Sequence, residues 1–218
     1  MNIQYYGDYC FKISTKPAGR ATEDVIIWTN PLGKGAGLRG PQGQVDLILE
    51  SHTDEKNEKE VSQEELTLDT PGEYAVKGMA LVGLPSFRDS KAGAERGQNT
   101  IFLIESEELR LVFLGGLGSE PLPDVLDALS EVDILFAPAG GKDTLEPKAL
   151  AELVRKVEPK IVIPMHYKME GLSLPLETEK AFLTALGSKA VEKVAKLNIK
   201  KKDVEGKSLE VVLFERGL

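Results

Sequence analysis

The second half of the chain constrains its fold most. Val132 to Phe136 and Ile161 to Pro164 are near-continuous apolar runs, the pattern of strands buried on both faces. Between them, Pro147 to Val157 places Leu150, Leu153, Val154 and Val157 at spacings of three and four. That is one face of a helix, and Pro147 suits its first turn. Pro123 to Leu129 repeats the helical spacing with Val125, Leu126 and Leu129. Thr178 to Leu186 reads as a further helix, with Gly187 in the C-terminal cap position. Val191 to Leu197 and Leu209 to Phe214 read as closing strands.

The first half reads as short strands only: Ile3 to Tyr6, Cys10 to Ser14, Val25 to Trp28, Val45 to Leu49, Tyr74 to Val76, Met79 to Leu84, Thr100 to Ile104 and Leu109 to Leu114. The first three are short, apolar and rich in β-branched or aromatic residues, and glycine, proline or charge separates each strand from the next. The acidic stretch from Asp54 to Glu65 reads as an exposed loop or short helix. Strands first and strand–helix alternation afterwards predict layered sheets with helices outside. No repeat or linker divides the 218 residues, so one domain over 1–218 is expected.

Composition narrows the function. The net charge of −8 disfavours nucleic acid, because phosphate contacts need clustered Lys and Arg. The one basic cluster, Lys200–Lys202, runs into Asp203 and reads as a solvated turn. No apolar run nears the ~18 residues that span a bilayer, and no signal peptide is evident. The expectation is a cytoplasmic protein without membrane contact. The single cysteine, Cys10, allows no internal disulfide and reads as a core residue. There are two histidines, His52 and His166, and each follows a strand, where loops gather into sites in α/β folds.

Around them stands an ordered series of short motifs. It runs Gly7-Asp8-Tyr9-Cys10-Phe11, Thr29-Asn30-Pro31, Ser51-His52-Thr53-Asp54-Glu55-Lys56-Asn57, Pro71-Gly72-Glu73-Tyr74, Phe87-Arg88-Asp89, Arg96-Gly97-Gln98-Asn99-Thr100, Leu114-Gly115-Gly116-Leu117-Gly118 and Ile163-Pro164-Met165-His166-Tyr167. The series resembles the metallo-β-lactamase superfamily, in its branch of small lactonase-like metal-dependent hydrolases. The resemblance implies an α/β fold, a four-layer αββα sandwich. It also implies a two-metal site with a His-x-His-x-Asp-His segment, a further histidine, a bridging aspartate and a last histidine. At those positions this chain has His52, Asp54, Lys56 and Asn57, then Arg88, Gly116 and His166. Asp8 stands where the early motif has histidine, and Asn30 where it has aspartate.

Chemistry alone makes that set a poor metal site. A catalytic zinc takes three protein ligands, and two metals need about six. His52, Asp54 and His166 are the candidate metal ligands here. Lys56 and Arg88 bring positive charge to a cation's place, a strong repulsion where water is excluded. An arginine there can instead pair with a carboxylate, so Arg88 is expected beside Asp54. The expected protein is non-catalytic, a binding or interaction module. Arg88, Lys56, Asn57 and Asp8 are its candidate ligand-binding residues, and its ligand a small anion. No cofactor is expected. The alternatives are a hydrolase keeping a single weak metal site, with zinc at low occupancy, and a structural subunit of a homo-oligomer. Ser51, next to His52, is expected to point to the opposite face. The run Gly35 to Gly40 has the spacing of a dinucleotide loop, but Pro41 and a strand follow, so it reads as a loop near the site mouth.

Overall fold

A computed structural model describes residues 1–16, 23–53, 65–188, 191 and 193–215. In chain order its strands and helices are β1 (Asn2–Gly7), β2 (Cys10–Thr15), β3 (Val25–Thr29), β4 (Leu47–Leu49), β5 (Thr67–Leu68), β6 (Gly72–Val76), β7 (Met79–Phe87), β8 (Gln98–Ser106), β9 (Leu109–Phe113), α1 (Pro123–Ala128), β10 (Ile134–Pro138), α2 (Pro147–Val157), β11 (Ile161–Met165), α3 (Lys180–Leu186), β12 (Lys193–Val194), β13 (Leu197–Asn198), β14 (Glu210–Val211) and β15 (Leu213–Phe214). One sheet has the order β13-β1-β2-β3-β4-β5, and a second has β14-β11-β10-β9-β8-β7-β6. β12 and β15 form a small parallel pair.

Alternate residues of the two sheets face each other and form the main core. Tyr5, Phe11, Ile27 and Leu49 meet Phe102, Phe113, Phe136 and Ile163. The edge-on contact of Phe11 with Phe136, at 4.7 Å, joins the sheets at their centre. On the other face of the second sheet, Leu103, Val112, Leu135 and Val162 pack against Val125 of α1, Leu150 and Val154 of α2 and Phe182 of α3. β10 and β11 are buried along their whole length, as expected of parallel strands covered on both sides. The architecture is therefore an α/β sandwich. Among the described residues its α-helices lie outside the second sheet. No helix among them is long and apolar enough to cross a membrane.

Pro147 begins α2, and Gly187 caps α3 in the left-handed region at φ 80°. Three expectations change. Val45 and Asp46 do not extend β4, because the Asp46 carboxylate takes the Ile26 N–H at 2.8 Å and the Lys77 ammonium at 2.5 Å. The closing segments each split, since successive residues pair with different strands: β12 with β15 but β13 with β1, and β14 with β11 but β15 with β12. The basic cluster is not merely a solvated turn. Lys201 and Lys160 both bind the fully buried Asp133 carboxylate, each at 2.7–2.8 Å.

The glycine run forms a three-residue 3-10 turn, Lys34–Ala36, and no dinucleotide-type helix follows. A Cβ on Gly37 would lie 2.3 Å from Ser173 Oγ, so this loop packs closely against the 171–173 segment. The stretch 54–64 lies outside the described residues.

Candidate ligand cavity at the strand ends

Six chain segments converge beyond the strand ends around a cavity of about 70 Å³, the one after β10 contributing Asp143. The β1–β2 turn brings Asp8 and Tyr9, the end of β3 brings Asn30, and the segment after β4 brings Glu50 and His52. Arg88 follows β7 and His166 follows β11, while Leu174 to Leu176 form an apolar wall. Thus His52, His166, Arg88 and Asp8 come together. Asp54, Lys56 and Asn57 lie outside the described residues, and so does any Arg88–Asp54 pair.

His166 is fixed on three sides. It takes a left-handed conformation, φ 49°, as does Asp8 at φ 55°. Its backbone N–H donates to the Asp8 carbonyl at 2.7 Å and to the Tyr5 hydroxyl at 3.1 Å. The Tyr5 hydroxyl in turn donates to the Asp8 carbonyl at 2.8 Å. Burial, then the neighbouring Tyr167 and Asp8, push the Tyr5 phenol well above its ordinary range, so it stays a donor. The ring Nδ1 lies 2.5 Å from Asp8 Oδ1. A carboxylate can only accept, so the proton sits on Nδ1. His166 is 4% exposed, and its Nε2 is buried without a hydrogen-bond partner among the described residues.

Tyr9 organises both imidazoles. It stacks on His166 at 4.1 Å and 11°, and meets His52 edge-on at 4.9 Å and 85°. Ser51 departs from its expected place, because β4 ends at Leu49 and the chain bends. Its Oγ lies 2.8 Å from His52 Nδ1. Asn30 Oδ1 accepts both the Ser51 N–H at 3.1 Å and the Ser51 hydroxyl at 3.0 Å. With its proton committed to Asn30, Oγ accepts from His52 Nδ1, which sets that ring in the same tautomer as His166. Ser51 is buried beneath the cavity and does not line it. It orients His52 and is not placed to attack a ligand.

Arg88 is half-buried, and its Nε is buried without a hydrogen-bond partner among the described residues. Asp89 builds the loop behind it by accepting the N–H groups of Lys91, Gly93, Glu95 and Arg96 at 2.7–3.1 Å. Burial raises the pKa of this carboxyl, but the four bonds outweigh that and hold it below the usual range. The loop closes as the Arg88 N–H donates to Gly97 O at 3.1 Å. A Cβ on Gly118 would overlap the Arg88 carbonyl at 1.9 Å, so only glycine fits there.

Gly116 lies under the cavity, its N–H donating to Asn99 Oδ1 at 2.8 Å. A Cβ there would stand 2.9 Å from His52 Cε1, 3.0 Å from His52 Nδ1 and 3.4 Å from Arg88 Nε. The His52 imidazole and the Arg88 guanidinium thus pack closely against Gly116. Among the described residues no three His, Cys, Asp or Glu side chains are grouped to hold a metal ion. The described residues do not fit a two-metal centre.

The order of motifs pointed to His52, His166, Arg88 and Asp8. It gave no role to Tyr9, to the Asn30–Ser51 pair or to Asp89. Asp89 followed by Gly93 and Gly97 carries a signal of its own, an Asx-type loop.

Two facing sheets with helices outside, and histidines on the loops at one end, define the metallo-β-lactamase fold. Residues 2–166 match the family described as the Beta-lactamase superfamily domain, and the chain belongs to that superfamily. It is 27% identical over 186 residues to a UPF0173 protein of Pyrococcus abyssi, covering 78% of this chain and 85% of the relative. It also resembles a Thermotoga maritima structure named as a Zn-dependent hydrolase of the metallo-β-lactamase superfamily. There the TM-score is 0.75 and the identity 27%, with 98% of each chain covered. A metallo hydrolase of Ignicoccus hospitalis, Igni18, shares the fold at TM-score 0.61 and 14% identity, over 100% of this chain and 96% of that one.

Proposed function

We propose that this chain is a β-lactamase-superfamily protein with a degenerate metal site, non-catalytic, whose former metal cavity binds a small anion. One observation carries the reading: the His52 ring and the Arg88 guanidinium crowd the Gly116 position, so that even a Cβ there would press on the His52 ring at 2.9–3.0 Å. Arginine supplies a permanent positive charge and a planar set of donors. In a small cavity partly closed to water, it takes over the attraction for anions that metal ions would provide. The buried, unpartnered Nε N–H of Arg88 is a donor in want of an acceptor.

Elemental analysis of protein produced in zinc-supplemented medium tests the lost site, and calorimetric titration with acetate tests the cavity. Far less than one metal per chain is expected, with acetate binding that the Arg88→Gln variant loses. Near one metal per chain, or acetate binding unchanged in that variant, would overturn the reading.

A second reading has one observation in its favour. His166 presents Nε2 unpartnered while a carboxylate holds its Nδ1, as metal-bound histidines commonly are held. A single weak metal on His166, His52 and Asp54 would make the chain a hydrolase like the Zn-dependent enzyme that the Thermotoga maritima relative is named to be. Stoichiometric metal, removed by chelator together with a hydrolytic activity, would establish it.

A further inference from the structure

We infer that the ligand is a small carboxylate with a proton donor, hydroxyl or ammonium, on the neighbouring carbon. The inference rests on the anion-binding reading and names the chemistry at the ligand's other end. Arg88 offers donors only. His166, 4% exposed, offers the opposite: with Nδ1–H held by Asp8, the lone pair of the neutral ring lies on the buried, unpartnered Nε2. A plain carboxylate satisfies the guanidinium and leaves that lone pair unmet. A ligand carrying both functions satisfies both, and an unmet buried polar atom is what discriminates most strongly between close analogues.

Size limits the ligand, and the charged lining narrows its chemistry. A cavity of about 70 Å³ corresponds to roughly two waters at ~30 Å³ each, so it admits only a ligand of a few heavy atoms. Glu50 also lines the cavity, and Asp143 stands at its wall, 3.5 Å from the Arg96 guanidinium. With Asp8, these carboxylates outnumber Arg88 in the lining, which favours an ammonium over a hydroxyl at that end of the ligand. The Leu174–Leu176 wall suits the carbon skeleton.

Calorimetric titration with acetate, glycolate and glycine separates the cases. Glycolate, glycine or both are expected to bind about tenfold tighter than acetate. Whichever binds better identifies the donor. His166→Asn retains an amide able to donate to Asp8, tolerates positive φ and removes Nε2. It should bring the ratio to acetate close to one. Acetate binding as tightly as both analogues, or a ratio unchanged in His166→Asn, overturns this inference and leaves the anion reading standing. Failure of all three compounds to bind overturns both. The wild-type ratio decides the matter alone if the variant does not fold.

Discussion

At the scale of single residues, the cavity is defined as much by a missing side chain as by those present. Gly116 gives the His52 ring its place, and that ring is pinned by Ser51 below and Tyr9 beside it. Gly116→Asp is therefore not a simple restoration of a metal ligand. Its Cβ would meet the ring at 2.9–3.0 Å. Overpacking of this kind costs about 1–3 kcal/mol, so the variant should melt several degrees lower and still bind no stoichiometric zinc. Calorimetric melting and elemental analysis check both halves. Residue-level legibility was uneven for the same reason. His52, His166 and Arg88 are rare or charged residues in a recognisable order. Tyr9 and Ser51 act through contacts that exist only after β1–β2 and β3–β4 have packed, and no spacing announces those.

At the scale of elements, α2 is bounded by its sequence signals, since an amphipathic repeat with Pro147 at its start is a local property. The C-terminal strands are not, because which partner a two-residue strand chooses is a tertiary matter. Asp133 is the sharper lesson. Within an apolar run it looks like an interruption, yet it receives Lys160, Lys201 and the Arg110 N–H. It thereby ties the start of β10 to the 3-10 turn Lys201–Asp203. Burial would raise its pKa, but the two lysines and the Arg110 N–H more than reverse this and hold it below the ordinary carboxylate range. A depressed pKa gives stability that is complete above the unfolded value, about 4. It is lost as pH falls through the lower folded value. Asp133→Asn is expected to cost about 1.5–3 kcal/mol at neutral pH, the range for hydrogen bonds to charged groups. The gap to wild type should narrow in acid. Urea unfolding at pH 7 and near pH 3 measures it, and an equal gap at both would contradict the assignment.

At the scale of the whole molecule, the last quarter of the chain completes both sheets. β13 supplies the edge beside β1, and β14 the edge beside β11. The superfamily match ends at 166, but the architecture does not. A chain stopped after Leu176 would keep every described residue of the cavity wall and leave β1 and β11 as bare edges. Such edges pair with other copies. The truncated chain is expected to aggregate or fail to melt cooperatively, as size-exclusion chromatography and circular dichroism would reveal; a monomer with a sharp transition would show that the first 176 residues fold alone.

The ring contacts of Tyr9 make the cavity easy to observe. Its face lies on one imidazole and its edge against the other, and those two imidazoles are all that the chain contains. In a nuclear magnetic resonance spectrum every histidine ring signal therefore comes from this one place. The aromatic current of Tyr9 should set the two sets of signals apart. A molecule entering the cavity would be reported at atomic detail by unmodified protein, with no background to subtract.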